Sequence, residues 1–497
     1  MDGVQQRYEE RLAKVKQMQQ QGLTVYPYTY EVTHTALEIQ KKYEGLEAHT
    51  HIEDKVSIAG RLMTIRQMGK LCFAHIQDSS GKIQIVFKKD DLLEAFDRLQ
   101  VVDIGDILGI QGTIMTTKTG ELSVHVQSWT MLCKALRDLP EKYHGLQNPE
   151  LRYRQRHVDM IVNADVREVF VKRAKIIQVI REVLTKRGFL EVETPLLQTQ
   201  YGGANAKPFI THINAWDMRM YLSISPELYL KRLLVGGFDK VYTICKNFRN
   251  EGVDYSHNPE FTMLEAYQSY VDYHTMMDIV EECYEQACLA VNGTTQVEVI
   301  VHHSNGEHEK RMIDFKRPWP KKTTAQVIQE QLGIDVLSMS VEQLQTYIRE
   351  QKLEPAQSWG ACVMRIFDEL IEHTIIEPTH VMDKPVEATP LCKVHRSDNR
   401  LVEQCEPIGV GMELGNIYSE LNDPVVQKEL LEQQASQLRG GDDEAHPMDE
   451  DFVAAIEQGM PPAGGLGIGI DRMVILLTGQ KSIRDVILFP TMKPKEE

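Results

Sequence analysis

The 497-residue chain has no apolar run long enough to span a bilayer, which excludes an integral helical membrane protein. Its first residues, MDGVQQRYEERLAKVKQ, lack the apolar segment of a secretory leader, so a cytoplasmic location is expected. Eight cysteines (Cys72, Cys133, Cys245, Cys283, Cys288, Cys362, Cys392 and Cys405) are scattered without a C-x-x-C pair. Neither a zinc ribbon nor a disulfide framework is therefore expected. Internal repeats and low-complexity segments are missing. So is a P-loop, because the Gly-rich stretch near the C-terminus is not followed by G-K-[ST], and no Rossmann fingerprint occurs. An excess of positive charge is also lacking: 55 Lys and Arg face 72 Asp and Glu, for a formal charge of -17. That balance argues against a protein that coats nucleic acid non-specifically. It leaves room for a local basic groove, and acidic residues can crowd a site for a cationic substrate or a divalent metal.

What remains is an ordinary soluble composition, 42% apolar and 26% charged, long enough for two domains. Val4, Tyr8, Leu12, Val15 and Met18 recur at helical spacing, with Gly22 as the stop, and a second helix is expected near THTALEIQKKYEGL. From Lys55 to about Cys133 the period becomes two. Five short strands, with a helix between the third and fourth, predict an OB-type barrel in an N-terminal domain spanning residues 1–145. Cys72, Ala74 and Ile76 form the inward set, which turns Phe73 and His75 outward, with Gln84 on the adjacent strand. Phe73 then either offers a stacking platform for single-stranded nucleic acid or covers a helix.

A Pro-, Gly- and charge-rich stretch marks a linker at 146–164. Within it LRYRQRH packs Arg152, Arg154 and Arg156 together, as a phosphate-contacting patch or a solvated connection. A second domain covers 165–497, opening with a helix over 165–188. The weakly patterned stretch at about 295–370 reads as a smaller insertion. The fold class is α+β.

Three stretches carry candidate chemistry. FRNEGVDYSHNPEF reads as strand, loop, strand, gathering charged groups at the turn. Arg249 can brace a phosphate bidentately, Glu251 lies on the same face, His257 and Asn258 lie beyond the loop, and Phe261 offers a face to a purine. In EQCEPIGVGMELGNIYSELND, Glu406 and Glu413 flank a short Gly-containing link, as a pair of magnesium-facing carboxylates would. Asn416, Tyr418 and Glu420 alternate on one strand face. In GGLGIGIDR, Gly465, Gly467 and Gly469 alternate, as in a tightly packed strand or a floor for a flat ligand, before Asp471 and Arg472 open a helix.

Together GFLEVETP, FRNEGVDYSHNPEF and GLGIGIDR resemble, in order, the three motifs of class II aminoacyl-tRNA synthetases. RYRQRHVDM, GGANAKPF, SPELYLKRLLVGGFDKVY, NPEFTMLEAYQSYVDY, ELGNIYSELNDP and GDDEAHPMDEDFVAAIEQGMPPAGGLGIGIDR extend the likeness to the lysyl-tRNA synthetases of subclass IIb over nearly the whole chain. The resemblance implies an OB-fold anticodon-binding domain followed by a catalytic domain on an antiparallel sheet. It implies a two-step reaction, lysine and ATP giving lysyl-adenylate, then transfer of lysine to tRNA(Lys).

By the same likeness Arg249 holds the α-phosphate and Arg472 the γ-phosphate of a bent ATP. Glu251 meets the adenine amino group, Phe261 stacks on the ring, His257 and Asn258 contact phosphate or ribose, and Gly469 lines the nucleotide site. Glu406 and Glu413 ligate Mg2+. Glu227 takes the α-amino end of lysine, Glu265 and Glu420 the ε-ammonium; Tyr267, Asn416 and Tyr418 line the channel, and Gly203 closes it. Arg66, Phe73, Gln84 and Glu121 match anticodon-reading positions, and the helix before Pro195 implies a homodimer. The chain departs from the family at Tyr201, Ser223, Ser225, Cys405 and Pro407. A relative specific for aspartate or asparagine is disfavoured, because Glu227, Glu265 and Glu420 would repel an anionic side chain. A ligase that modifies a protein is disfavoured by the OB-type domain. A non-catalytic binding protein is disfavoured by the retained arginines and metal carboxylates.

Overall fold

The computed structural model describes residues 3–140, 146–302, 308–439 and 447–494. Parts of the domain boundary (141–145), of the weakly patterned stretch (303–307) and of the segment before the last motif (440–446) lie outside the described residues. The chain divides into two compact units, Met1–Gln147 and Asn148–Glu497.

In the first unit, α1 (Gly3–Gln20) stops at Gly22, whose φ of 75° a residue with a side chain adopts only under strain. Helix α2 (Ala36–Lys42) starts in a capping box, with the Glu38 amide donating to Thr35 Oγ1 and the Thr35 amide to Glu38 Oε2. Strands β1 (His51–Met68), β2 (Leu71–Gln77), β3 (Lys82–Lys88), β4 (Ile107–Thr116) and β5 (Leu122–Cys133) close into a barrel in the order β1-β2-β3-β5-β4. Short helical turns between Lys89 and Val101 join β3 to β4. Period-two alternation buries Cys72, Ala74 and Ile76, while Phe73 and His75 stay partly exposed. Gln84 lies opposite His75 on the outward face, as expected, yet it is only 7% exposed. Its amide donates to Glu121 Oε2 at 2.6 Å and its carbonyl accepts from Ser123 Oγ at 2.8 Å, so local partners cover it.

Most of the stretch 146–164, read as a linker, is instead helical, and from Asn148 on it belongs to the second unit. It forms α3 (Pro149–Arg154) and α4 (Arg156–Val162). Arg156 is 1% exposed; it donates to Asp159 at 3.0 Å, to the Arg484 carbonyl at 2.6 Å and to the Leu488 carbonyl at 3.1 Å. Arg152 shares Asp159 at 3.0 Å. Arg156 thus fastens the C-terminal segment, with Arg152 bracing the shared Asp159, so neither is a free phosphate-contacting group.

Helix α5 (Ala164–Lys186) follows. The main sheet then contains β6 (Leu190–Glu191), β7 (Lys240–Phe248), β8 (Glu260–Ser269), β9 (Lys321–Thr323), β10 (Thr379–Pro385), β11 (Leu401–Gly409), β12 (Met412–Glu413), β13 (Asn416–Ser419) and β14 (Ala463–Gly469). The order is β9-β10-β11-β13-β14-β8-β7-β6, with β12 paired to β11, and the central pairings are antiparallel. One face buries Leu264, Ala266, Cys405, Ile417, Leu466 and Ile468 in the same apolar cluster as residues of α5, of α6 (Tyr273–Asn292) and of α7 (Ile470–Thr478). Alternation then forces Met263, Glu265, Tyr267, Gln404, Glu406, Asn416, Tyr418, Gly465 and Gly467 onto the other face. The stretch 295–370 contains a hairpin (Gln296–His302 with His308–Asp314), β9 and three helices. The helices share a separate core that includes Val327, Leu344, Ile366 and Phe367 and reaches the sheet at Val381 and Ile408.

Candidate active site

The polar face of the sheet floors a cavity of about 360 Å³. Every catalytic-domain candidate lines it: Gly203, Glu227, Arg249, Glu251, His257, Asn258, Phe261, Glu265, Tyr267, Glu406, Glu413, Asn416, Tyr418, Glu420, Gly469 and Arg472. Asp471, at the start of α7, locks two motifs together. Its carboxylate accepts from Arg173 at 2.6 Å and from the Thr262 amide of β8 at 2.7 Å, with Asp471 only 2% exposed.

At one end are the arginines. Arg249 is half-buried, its Nε lacks a hydrogen-bond partner among the described residues, and its guanidinium lies 5.1 Å from the centre of the Phe261 ring. Burial lowers its pKa, so this group is short of compensating partners. Arg472 donates to Glu413 Oε2 at 3.2 Å and lies 3.5 Å from His257 Nε2. Asp254, which the sequence did not single out, organises the loop. It accepts from the Ser256 and His257 amides at 2.7 and 2.8 Å and meets His257 Nδ1 at 2.9 Å. Asn258 is 6% exposed; its amide donates to the Glu260 carbonyl and its Oδ1 has no partner among the described residues. An acceptor left unsatisfied in a buried wall costs about 1–3 kcal/mol, so this atom calls for a donor from a ligand or from water.

At the other end lie three buried carboxyls. Glu265 is 5% exposed and accepts from Ser225 Oγ at 2.9 Å and Tyr267 Oη at 3.1 Å; no cationic side chain forms an ion pair with it among the described residues. Burial and then the neighbouring Glu227 push it up to about 8. Glu227 and Glu420 both meet the Lys231 ammonium, at 2.7 and 2.5 Å. Beyond that ion pair, neither Glu420 oxygen has a hydrogen-bond donor among the described residues. Burial raises both carboxyls while Lys231 pulls them back toward ionisation. Gly203 has φ of 87°, and a Cβ there would stand 2.8 Å from Ser225 Oγ and 2.9 Å from Glu227 Cβ. The space above Gly465 is taken by the Glu420 carboxylate and the Tyr267 ring, so this glycine accommodates protein groups where a flat ligand was one expectation.

Between the two ends, Gln404 Nε2 donates to Glu406 Oε1 and to Asn416 Oδ1, both at 3.1 Å, and Asn416 donates to Tyr418 Oη at 3.1 Å. Glu406 also pairs with the buried ammonium of Lys384. Cys405 points into the apolar core, 3.4 Å from His380 Nδ1, so this departure lies on the sheet face opposite the cavity. Ser223 is buried and bonded to Asn247 Oδ1 at 3.1 Å without lining the cavity, whereas Ser225 lines it.

In the barrel, Arg66 and Phe73 are cross-strand neighbours, and His75 is paired with Gln84. Glu121 ties that corner together by accepting from Gln84 and meeting His75 Nε2 at 2.9 Å.

The family model for class II tRNA synthetases (D, K and N) matches residues 148–493, and that for the OB-fold nucleic acid binding domain matches 56–132. The lysine–tRNA ligase of Carboxydothermus hydrogenoformans is 48% identical over 491 residues, 98% of each chain. That of Clostridium botulinum is 48% identical over 495 residues, 98% of this chain and 95% of its own. The lysine–tRNA ligase of Pelotomaculum thermopropionicum is 48% identical over 98% of this chain and 94% of its own. The chain belongs to the lysine–tRNA ligase family. This lysine–tRNA ligase family member therefore has an OB-fold unit before a class II catalytic unit, as its motifs led one to expect. Among its residues, Lys231, Lys384, Gln404 and Asp254 escaped sequence reasoning. Only Lys231 carried a local signal, its i+4 spacing from Glu227.

Proposed function

We propose that the chain activates lysine with ATP and transfers it to the 3′ end of tRNA(Lys), with the residues of this cavity in the following roles. The observation that carries the reading is one cavity with two arginines at one end and three buried carboxyls at the other. A triphosphate and a diamino acid have the complementary charges. Arg249 receives the α-phosphate and the attacking carboxylate of lysine. Arg472, held by Glu413, receives the γ-phosphate. Phe261 stacks on adenine while Glu251 accepts from its amino group. His257 meets phosphate or ribose, the Asn258 Oδ1 accepts from a ribose hydroxyl, and the backbone at Gly469 borders the nucleotide.

No protein nucleophile is required. Alignment of carboxylate and α-phosphate, with neutralisation of the developing charge, lowers the barrier. Glu227, Glu265 and Glu420 hold the two ammonium groups of lysine, with Tyr267, Asn416 and Tyr418 along the side chain and Gly203 over the α-amino end.

Glu406 and Glu413 fit Mg2+. Both line the cavity, and burial, with a smaller contribution from Glu406, raises the pKa of Glu413, a state that a bound cation would relieve. Glu406 and Glu413 would be the protein donors, with substrate phosphates supplying further oxygens. The metal's charge would offset that of the triphosphate. In the barrel, Phe73 stacks on an anticodon base, with Arg66, Gln84 and Glu121 around it. Exposed Leu190, Leu196, Leu197 and Ile210, in the segment around and after Pro195, support a homodimer. No helix among the described residues is long and apolar enough to cross a membrane.

The test is exchange of labelled pyrophosphate into ATP, with lysine, ornithine and aspartate compared and Arg249→Ala as control, followed by aminoacylation of tRNA(Lys). Lysine-dependent exchange lost in the variant is the expected result. Exchange with aspartate instead would overturn the assignment of the carboxyl end.

A further inference from the structure

Lys231 has no place in the roles above, yet it is the most enclosed charge beside them. It sits one turn after Glu227 on the helix Glu227–Val235, is 0% exposed and does not line the cavity. Its ammonium lies 2.7 Å from Glu227 and 2.5 Å from Glu420, and it donates to the Leu391 carbonyl at 3.4 Å. Glu227 and Glu420 come from elements 193 residues apart in sequence, so this one group joins the helix to the end of β13 behind the cavity wall.

We propose that Lys231 is a positioning and specificity residue that sets the charge of the amino-acid pocket. Three carboxylates and one ammonium leave a net charge of two negatives, and a diamino acid brings two ammonium groups. The Lys231 ammonium holds Glu227 and Glu420 against one another, each with an oxygen directed at the pocket, and Glu265 supplies the remaining charge. Without it three carboxylates would face two substrate cations, and a buried unpaired charge is strongly unfavourable. With it, and with one carboxylate removed, a single negative charge would face two cations. This inference rests on the assignment of Glu227, Glu265 and Glu420 to lysine.

The experiment compares the lysine KM in pyrophosphate exchange for the wild type, Lys231→Met, Glu420→Gln and the double variant Lys231→Met/Glu420→Gln. The ATP KM is measured alongside. Charge balance predicts that Lys231→Met raises the lysine KM by roughly tenfold or more while the ATP KM moves far less. It also predicts that the double variant binds lysine better than Glu420→Gln alone, because removing Lys231 restores two net negatives. A role in packing alone predicts the opposite order. The second comparison does not need Lys231→Met to fold as a single variant. A double variant equal to or worse than Glu420→Gln overturns the proposal. Glu265→Gln, run in parallel, tests the pocket itself: an unchanged lysine KM there removes the assignment on which the proposal stands. A raised lysine KM in Glu265→Gln together with the wrong double-variant order removes only the role of Lys231.

Discussion

Glu265 has two neutral donors, Ser225 and Tyr267, and no cationic partner of its own, which is the state expected of a carboxyl that waits for a charged ligand. Burial, reinforced by Glu227, sets its pKa at about 8. A substrate ammonium pairs with the ionised form, so below that pH binding must expel a proton. The lysine KM should therefore fall as pH rises toward about 8, by close to tenfold per pH unit well below it, and then level off. Glu265→Gln should show a raised, flat profile in the same exchange assay. The linkage to folding has a definite sign. The folded pKa lies above the ordinary 4.5, so the contribution of Glu265 to stability is full below about 4.5 and is lost as pH rises through about 8. Thermal midpoints of the ligand-free protein should decline across that window less in Glu265→Gln than in the wild type. Asp471 is the structural counterpart at this scale. Asp471→Ala would strip Arg173 of its buried partner and leave the Thr262 amide without an acceptor. A loss of about 3–5 kcal/mol is expected from urea denaturation.

Among the elements, the sheet does most of the positioning, because a strand allots alternate residues to core and cavity. Glu265 and Tyr267 on β8 flank Gly467 and Gly465 on β14, which in turn flank Asn416 and Tyr418 on β13. A methyl group at 465 would overlap Glu420 Oε1 and stand 2.6 Å from the Tyr267 ring. Gly465→Ala should thus cost about 1–3 kcal/mol in stability and raise the lysine KM well beyond the ATP KM, measured by the same exchange. This period-two logic is why the cavity floor was legible in the sequence. Glu406, Asn416, Tyr418, Glu420 and the alternating glycines announce a face without any knowledge of partners. What stayed hidden depended on distant chain. Arg152 and Arg156 read as linker charges because the carbonyls of Arg484 and Leu488 that fix Arg156 come from the far end of the sequence. Gln84 looked exposed because nothing local said that Ser123 and Glu121 would cover it on the outer face. Lys231 was not singled out, since Glu420 reaches it only through the fold.

The whole molecule separates its tasks between two units with their own cores. The barrel buries Ile58, Ile85, Phe87 and Ile110, and the catalytic unit has a distinct apolar cluster on the core face of its sheet. On the proposed roles, activation of lysine needs only groups of the second unit, since every residue assigned to ATP or lysine lies beyond Gln147. On the same reading, recognition of an anticodon needs groups of the first. A substitution on the barrel surface should then leave the first half-reaction intact and weaken only the second. Phe73 is the place to make it, because it is partly exposed and its loss opens no hole in the barrel core. Stacking of one base on an aromatic ring contributes about 1–3 kcal/mol, so Phe73→Ala should raise the tRNA(Lys) KM in aminoacylation by roughly five- to hundredfold. Lysine-dependent pyrophosphate exchange measured without tRNA should stay at the wild-type rate. If exchange fell in parallel with aminoacylation, Phe73 would be acting through the stability of the chain, and the barrel would lose its assignment as the separate reader of the tRNA.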